Sequence, residues 1–220
     1  MPTDLLSDDL APLYRFALAY APRDARPFWA GFFSLDERCA RFVRGASEPI
    51  TAQLRLAWWR DRLGEDASAW PRGEPLLELL AGWDGAHSRL VDLIDGWEAM
   101  TGALPRGTEA FGELIEGRTH AIETIAHLCA ASDEPDCIAR MAREWALCDV
   151  IATVRDADES KTLESLAQGC EFRAKRVSKP MRPLAVLHSL ARYSRHSGLP
   201  IDCLPARAMA RAVAAGFVGR

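Results

Sequence analysis

The stretch Leu54-Arg55-Leu56-Ala57-Trp58-Trp59-Arg60-Asp61-Arg62-Leu63 follows Ser47-Glu48-Pro49 and predicts a helix. Ser47 is a favourable N-cap residue, and an acidic residue after it suits the positive end of the helix dipole. Pro49 fits a first helical turn, where a backbone N–H has no partner to lose. The sequence therefore predicts a helix that begins near Pro49 and ends near Gly64.

The apolar residues of this helix surround most of its circumference. Only Arg55 and Arg62 mark a clear solvent strip on a helical wheel. A helix that is apolar almost all round is normally buried by neighbours on several sides, so we expect this one at the centre of the fold. Gln53, Arg60 and Asp61 should then point into protein or into an internal cavity, where a charge needs a partner or a ligand.

Composition limits the protein class. The chain has 220 residues, of which 49% are hydrophobic, so it can bury a substantial core, and we expect one domain over residues 1–220. The formal net charge of -4 gives no electrostatic footprint for nucleic acid. Met1-Pro2-Thr3-Asp4 shows no signal peptide, and no apolar run reaches the roughly 20 residues that a membrane span needs. The six cysteines form no CxxC pair, which favours reduced thiols and a cytoplasmic protein.

Helical periodicity runs through the chain, and strand signals are nearly absent. We therefore predict an all-α fold. The predicted helices cover residues 4–20, 27–44, 49–64, 74–80, 84–100, 108–130, 132–156, 159–168, 183–195 and the segment after Pro205.

Two sets of side chains on these helices are candidates for metal or ligand binding. Glu116, His120, Glu123 and His127 follow one another at turn spacing and resemble the metal face of a carboxylate-bridged bundle. They lie opposite the apolar side of their helix, however, which favours a solvated face. Asp92 and Asp95 form a second acidic pair one turn apart, which more often is a polar edge.

Asp149 and Asp156 are the strongest acidic candidates. They are seven residues apart, so the predicted helix 132–156 places both on the inward face that also holds Trp145. Two inward carboxylates are costly unless they are paired or bind a cation. One interpretation pairs each with an arginine such as Arg60 or Arg118, and the other gives them a ligand or a metal.

The stretch 48–63 resembles the squalene/phytoene synthase family. It is most similar to a divergent branch that also resembles a mitochondrial assembly factor for respiratory complex I. Weaker similarity lies in Leu93-Ile94-Asp95-Gly96-Trp97-Glu98, in Glu144-Trp145-Ala146-Leu147-Cys148-Asp149 and in Arg182-Pro183-Leu184-Ala185-Val186-Leu187. The resemblance implies an isoprenoid-synthase-like helical bundle around a central cavity. Its enzymes hold Mg²⁺ between two DxxxD clusters, and the metal helps a prenyl diphosphate to ionise.

The chain departs from this pattern at both clusters. The helix that should carry the first cluster contains no DxxxD, and its later turns hold Arg38, Arg41 and Arg44. At the second cluster Asp156 matches the first aspartate, but Ser160 stands in place of its partner, and Glu159 is the nearest substitute. Replacing one metal-binding wall with arginines should remove Mg²⁺ affinity and leave a cation-lined pocket for an anionic head group.

We therefore expect a non-catalytic member of this fold that binds a prenyl diphosphate or prenyl lipid, or that assembles with respiratory-chain subunits, without a cofactor. The predicted ligand-binding residues are Arg60, Asp61, Asp149, Asp156 and Glu159. The alternative is an active prenyltransferase with Mg²⁺ that also uses Asp92 and Asp95. A third reading is an iron or zinc protein built on the His120 stripe.

Peripheral membrane contact is compatible with the first two readings. The Trp70, Trp83 and Trp97 region and the basic segment 173–179 are the predicted docking surfaces.

Overall fold

Ten α-helices and five short 3-10 turns make up the part of the chain that the computed structural model describes, residues 10–220 apart from the side chain of Asp202. No β-strand occurs among these residues, which confirms the all-α prediction. The helices are α1 (Pro12–Leu18), α2 (Arg26–Gly45), α3 (Pro49–Gly64), α4 (Pro75–Leu80), α5 (Val91–Ala99), α6 (Thr108–Leu128), α7 (Pro135–Thr153), α8 (Ala157–Ala167), α9 (Arg182–Ser197) and α10 (Ala206–Val218). The 3-10 turns are Ala67–Ala69, Ala81–Trp83, Ala86–Leu90, Lys179–Met181 and Ile201–Cys203.

Most predicted helices are present, and the differences have local causes. Residues 4–9 of the first predicted helix lie outside the described residues. The predicted helix 132–156 was too long, because α7 ends at Thr153. Asp156 then begins the next helix: its Oδ1 accepts the backbone N–H groups of Asp158 and Glu159. An N-cap aspartate satisfies two donors that a helix start leaves free, so the chain breaks there.

Helix α6 is the central element of the fold. It packs between α5 and α7 and also contacts α2 and α8. The approach to α5 is close: a Cβ atom added at Gly117 would lie 2.4 Å from the carbonyl oxygen of Asp92, and one at Gly96 would lie 2.6 Å from Cα of Leu114. Only glycine permits backbones to approach so closely. Helix α9 lies beyond α7 and packs on α7, α10 and α1.

Helix α3 is peripheral, so the expectation that the Trp-rich helix lies at the centre was wrong. Its buried residues are Ala52, Leu56, Trp59 and Leu63, which form a single inner face. On the outer face Ile50, Leu54 and Trp58 are 54%, 67% and 41% exposed. The apolar circumference that predicted a buried helix is therefore an apolar face without a neighbour in the described residues.

The aromatic core joins α1, α2 and α7. The ring of Tyr14 stacks on Phe33 with centroids 4.4 Å apart, and Trp145 packs against both Tyr14 and Phe32. Buried residues from Leu10 to Ala212 form one connected apolar cluster. This core holds α1, α2 and α7 at fixed positions around the cavity described below.

The tryptophans expected at a docking surface are largely inside the protein. Trp83 is completely buried and Trp97 is nearly so. Trp70 is half-buried, and its Nε1 donates to the carbonyl oxygen of Arg62. This part of the membrane prediction was wrong. Among the described residues, no helix combines the length and the apolar character that crossing a bilayer requires.

Candidate functional site

A cavity of about 370 Å³ lies where α1, α2, α5, α6 and α7 meet α10 and the segment that precedes it. Its volume is within the roughly 300–1,000 Å³ of typical small-molecule sites. Its lining is mostly apolar and comprises Ala11, Pro12, Leu13, Ala40, Met100, Leu114, Val150, Ala152, Ile201, Leu204 and Met209. Polar side chains are grouped on one part of the wall: Tyr14, Asp36, Glu37, Arg44, Trp97, Arg118, Asp149 and Thr153.

Arg118 of α6 joins carboxylates from two facing helices. Its Nε and Nη2 atoms donate to Oδ1 and Oδ2 of Asp36 on α2, at 3.0 and 2.9 Å. Its Nη1 atom donates to Oδ2 of Asp149 on α7, at 2.8 Å. The guanidinium is only 3% exposed and the Asp36 carboxylate 1%, so this is a buried ion pair with the parallel, bidentate geometry that makes such pairs strong.

Asp36 has both of its oxygens occupied by donors. Besides Arg118, the hydroxyl of Tyr14 donates to Oδ2, and Nε1 of Trp97 donates to Oδ1 at 2.8 Å. Burial raises the pKa of Tyr14 well above its usual value, and the negative charge of Asp36 raises it further. Tyr14 therefore stays a neutral hydrogen-bond donor at physiological pH.

Two indole rings flank the Arg118 guanidinium. Its Cζ atom lies 5.3 Å from the ring centroid of Trp97 and 5.5 Å from that of Trp145. Cation–π contacts of this kind are stronger away from water. Burial by itself lowers the pKa of Arg118, but Asp36, Tyr14 and Asp149 outweigh this effect and raise it well above the usual value. Arg118 is therefore a permanent cation.

The other carboxylates that line the cavity have pKa values above their ordinary values. Burial raises the pKa of Asp149, although Arg118 acts in the opposite direction. Burial also raises the pKa of Glu37, and Arg44, whose Nη2 lies 3.3 Å from Glu37 Oε1, opposes this. Both carboxylates therefore hold a proton more readily than a carboxylate in water.

Of the five residues predicted to bind a ligand, only Asp149 lines this cavity. Its pairing with Arg118 is one of the two alternatives drawn from the sequence, and the structure shows that pairing. Asp156 lies exposed at the N-terminus of α8, so its placement on the inward face with Asp149 was wrong. The cause is that α7 ends at Thr153, so Asp149 and Asp156 do not lie on one continuous helix, as the prediction required.

Neither Arg60 nor Asp61 of α3 lines the cavity. Arg60 Nε donates to Asp95 Oδ1 at 2.6 Å, and its Nη2 pairs with Glu98. Asp61 is exposed. Of the two placements expected from the sequence, into protein or into an internal cavity, Arg60 therefore takes the first, where two acidic side chains of α5 pair with it. For Asp61 both were wrong, because its side of α3 faces solvent.

Glu159 is buried but has a structural partner. Its carboxylate accepts the backbone N–H and the Nε–H of Arg106, both at 2.8 Å, and the Nη2–H at 3.0 Å. These bonds lower the pKa of Glu159 and connect α8 to the segment between α5 and α6. Neither Glu159 nor Arg106 lines the cavity.

The arginines of α2 divide between two surfaces. Arg44 lines the cavity, whereas Arg38 and Arg41 lie on the opposite side of the helix, against α3. The cation inside the cavity is instead Arg118, and it is held by carboxylates. The expected cation-lined pocket is therefore only partly present, because three carboxylates (Asp36, Glu37 and Asp149) accompany the two guanidiniums of Arg44 and Arg118.

The histidine stripe of α6 faces solvent, as one of the two sequence interpretations expected. Glu116 pairs with Arg143 of α7, and His120 Nδ1 lies 2.8 Å from Oδ2 of Asp92. Within residues 10–220, no group of three or more His, Cys, Asp or Glu side chains has the geometry of a metal site. Asp92 is engaged by His120 and Asp95 by Arg60, both outside the cavity.

The donor set of the cavity does not fit Mg²⁺ bound to a diphosphate. Such a site needs several carboxylate oxygens free to face the metal from two sides. Here both oxygens of Asp36 accept hydrogen bonds, and one oxygen of Asp149 is held by Arg118. A cation supplied by the chain already bridges the two walls.

Arg118 and Asp36 were not among the predicted ligand-binding residues, although the sequence indicates that both side chains point inward. Arg118 lies on the apolar face of its helix, and a cation there requires a buried acid. Asp36 follows Phe32 by one turn and precedes Ala40 by one turn, so it shares their inward face. Tyr14 and Trp97 gave no comparable signal, because aromatic residues are common in apolar cores.

Comparisons of the chain with family models, with curated proteins and with solved structures found no match.

Proposed function

We propose that the protein binds one prenyl-type lipid in the cavity without ionising it, as a non-catalytic protein with an isoprenoid-synthase-like fold. The observation that carries this proposal is the position of Arg118 between Asp36 and Asp149. Arg118 is a permanent cation between a carboxylate of α2 and one of α7, and it neutralises the groups that a metal would need. The ligand class comes from the resemblance of residues 48–63 to squalene/phytoene synthases.

The charge balance of the cavity favours a ligand with an uncharged head group. The three carboxylates outnumber the two guanidiniums, so the cavity repels a diphosphate. Arg118 uses its Nε–H and one hydrogen of each Nη atom for its two acidic partners, which leaves only the second hydrogen of each Nη atom for a ligand. A hydroxyl head group can donate a hydrogen bond to Asp149 or to Oγ1 of Thr153, whose own proton is donated to the carbonyl oxygen of Val150, while the apolar wall contacts the chain. A prenyl alcohol is the simplest molecule with this chemistry.

The alternative is a prenyltransferase that condenses prenyl diphosphates with Mg²⁺. It requires two diphosphates and free carboxylates, whereas the cavity is near the lower end of the usual volume range and Asp36 is fully engaged. A role in respiratory-complex assembly, which the family resemblance implies, is compatible with a lipid-binding protein and stays a prediction.

The test measures binding and turnover on the same protein. Purified protein is titrated with farnesol and geranylgeraniol, with retention followed by mass spectrometry after desalting. It is also incubated with Mg²⁺ and the corresponding diphosphates, with release of diphosphate and formation of hydrocarbon as readouts. We expect stoichiometric retention of an alcohol and no turnover.

A cavity-filling variant and a matched control make the binding result specific. Ala152→Phe fills the apolar part of the cavity and should reduce retention at least tenfold, whereas Ala214→Phe, at an exposed position of α10, should leave it unchanged. Turnover that Asp149→Asn abolishes would overturn the proposal in favour of the enzyme. Equal retention by both alanine variants would show that the lipid binds elsewhere.

A further inference from the structure

A second concave surface lies between α2 and α3, on the side of α2 opposite the cavity. This α2–α3 groove has a volume of about 440 Å³ and is lined by Arg38, Arg41, Phe42, Arg55, Trp58, Trp59 and Glu74. Asp36 and Ala40 of α2 face the cavity, whereas Arg38 and Phe42 face the groove. The groove shares no lining residue with the cavity, so it is an independent feature.

The groove carries positive charge that the protein does not neutralise. Arg38 forms a salt bridge with Glu74 at 2.8 Å and lies over the ring of Trp59. Arg55 lies over the ring of Phe42, at 5.4 Å from its centroid. Among the described residues, neither Arg41 nor Arg55 forms a salt bridge. The guanidiniums of Arg41 and Arg55 are therefore available to an anion. A guanidinium can bind a phosphate through two parallel N–H···O hydrogen bonds.

An exposed apolar row borders this charge. Ile50, Leu54 and Trp58 follow one another at intervals of four residues along α3 and form one stripe on its outer face. Trp58 belongs to both features, because its ring also lines the groove. A tryptophan at the boundary between an apolar stripe and arginines is the arrangement found at bilayer interfaces, where its ring contacts the acyl boundary while cations contact the head groups.

Charge is distributed unevenly on the two sides of the apolar row. Asp61 lies at its C-terminal end, and Arg60 on the side away from the groove is neutralised by Asp95 and Glu98. Positive charge is thus concentrated on the groove side of the stripe. A membrane that contacts Ile50, Leu54 and Trp58 would place its phosphates over Arg41 and Arg55.

We propose that the outer face of α3 and the α2–α3 groove dock on an anionic phospholipid bilayer. The row inserts at the acyl boundary, and the groove binds lipid phosphate. A stable protein partner typically contacts about 20–30 residues on each side, far more than this row and groove provide. A bilayer needs only a few apolar anchors together with positive charge.

The experiment measures co-sedimentation of the full chain with vesicles at low ionic strength. Vesicles of phosphatidylcholine alone are compared with vesicles containing phosphatidylglycerol. We expect binding only with the anionic lipid, weakened by added salt. Arg41→Gln combined with Arg55→Gln should lower the partition coefficient about thirtyfold, since each interfacial arginine contributes about fivefold. Leu54→Ser should lower it about fivefold, because its exposed side chain no longer enters the bilayer.

Matched variants elsewhere on the surface serve as controls. Leu104→Ser removes another exposed leucine, and Arg173→Gln with Arg176→Gln removes two charges from the basic segment 173–179. Both should bind as the unaltered protein does, and circular dichroism confirms that every variant is folded. Loss of binding in the 173–176 variant alone would overturn the proposal, as would absence of vesicle binding at low salt. Binding of inorganic diphosphate in the groove without vesicle binding would show a site for a free anion instead.

Discussion

Replacement of Asp36 by alanine tests whether the buried cluster at the cavity is built around Arg118. The substitution removes both bidentate bonds to a guanidinium that is 3% exposed, and Arg118 then retains only its bond to Asp149. It also leaves the Tyr14 hydroxyl and the Trp97 N–H without their acceptor. Breaking a buried ion pair by removing one partner costs about 3–5 kcal/mol. We therefore expect the free energy of unfolding of Asp36→Ala to fall by about that amount.

The loss should be evident in two measurements. Urea unfolding followed by circular dichroism at neutral pH should give a lower midpoint with an unchanged m value, which indicates lost stability in an otherwise intact fold. For a chain of this length each kcal/mol shifts the melting temperature by about 2–4 °C, so the melting temperature should fall by about 6–20 °C. A second substitution, Arg118→Met, should recover part of the loss, since the uncompensated cation is then absent.

The matched control is Asp149→Asn. Burial already raises the pKa of Asp149, and an asparagine oxygen can still accept the bond from Arg118 Nη1. We expect its cost to be at most about 1 kcal/mol, the net contribution of an ordinary hydrogen bond. Equal losses for the two variants, or a loss below about 1 kcal/mol for Asp36→Ala, would refute the view that Asp36 is the principal partner of Arg118.

Three further outcomes follow from other contacts. Gly117→Ala should lower the free energy of unfolding by about 1–3 kcal/mol, since its Cβ would lie 2.4 Å from the carbonyl oxygen of Asp92, whereas Gly112→Ala on the same helix has open space and should raise it by about 0.5–1 kcal/mol in chemical denaturation. Burial lowers the pKa of His188 below its ordinary 6.5 although Glu144 opposes this, so on acidification through 6.5 the unfolded chain binds the proton first and stability falls. The free energy of unfolding, measured as a function of pH, should show this decrease down to the folded-state pKa of His188. His188→Gln should remove the decrease; an unchanged dependence on pH in this variant would contradict its assignment to His188. Glu159→Gln should cost about 1–3 kcal/mol through its bonds to Arg106 and leave retention of the prenyl alcohol unchanged, since neither residue lines the cavity; altered retention with intact stability would indicate a ligand role for Glu159.

The helices themselves were predictable from the chain. Apolar residues at three- and four-residue steps, with proline in the first turn, located α2 and α3 to within a residue or two. Asp156 shows the limit of this reasoning. Its side chain bonds to the backbone ahead of it, and periodicity alone does not reveal whether an aspartate continues one helix or begins the next.

The burial of α3 was decided by tertiary structure. Its apolar circumference is compatible both with a central helix and with a surface helix that has an exposed apolar face. The difference depends on how many neighbours pack against it, and that number is a property of the whole fold. The central position belongs to α6 instead, where Gly117 permits contact with the backbone of α5.

The sequence alone determined the all-α class, most helix boundaries and the presence of inward charges such as Asp149 and Arg118. Only the tertiary structure decided that Asp36, 82 positions before Arg118, shares its guanidinium, and that Asp149 completes the group from a third helix. The physical reason is that helical periodicity states which side of a helix a residue occupies. The identity of a buried charge's partner depends on the distance and orientation between helices, which packing of the complete core determines.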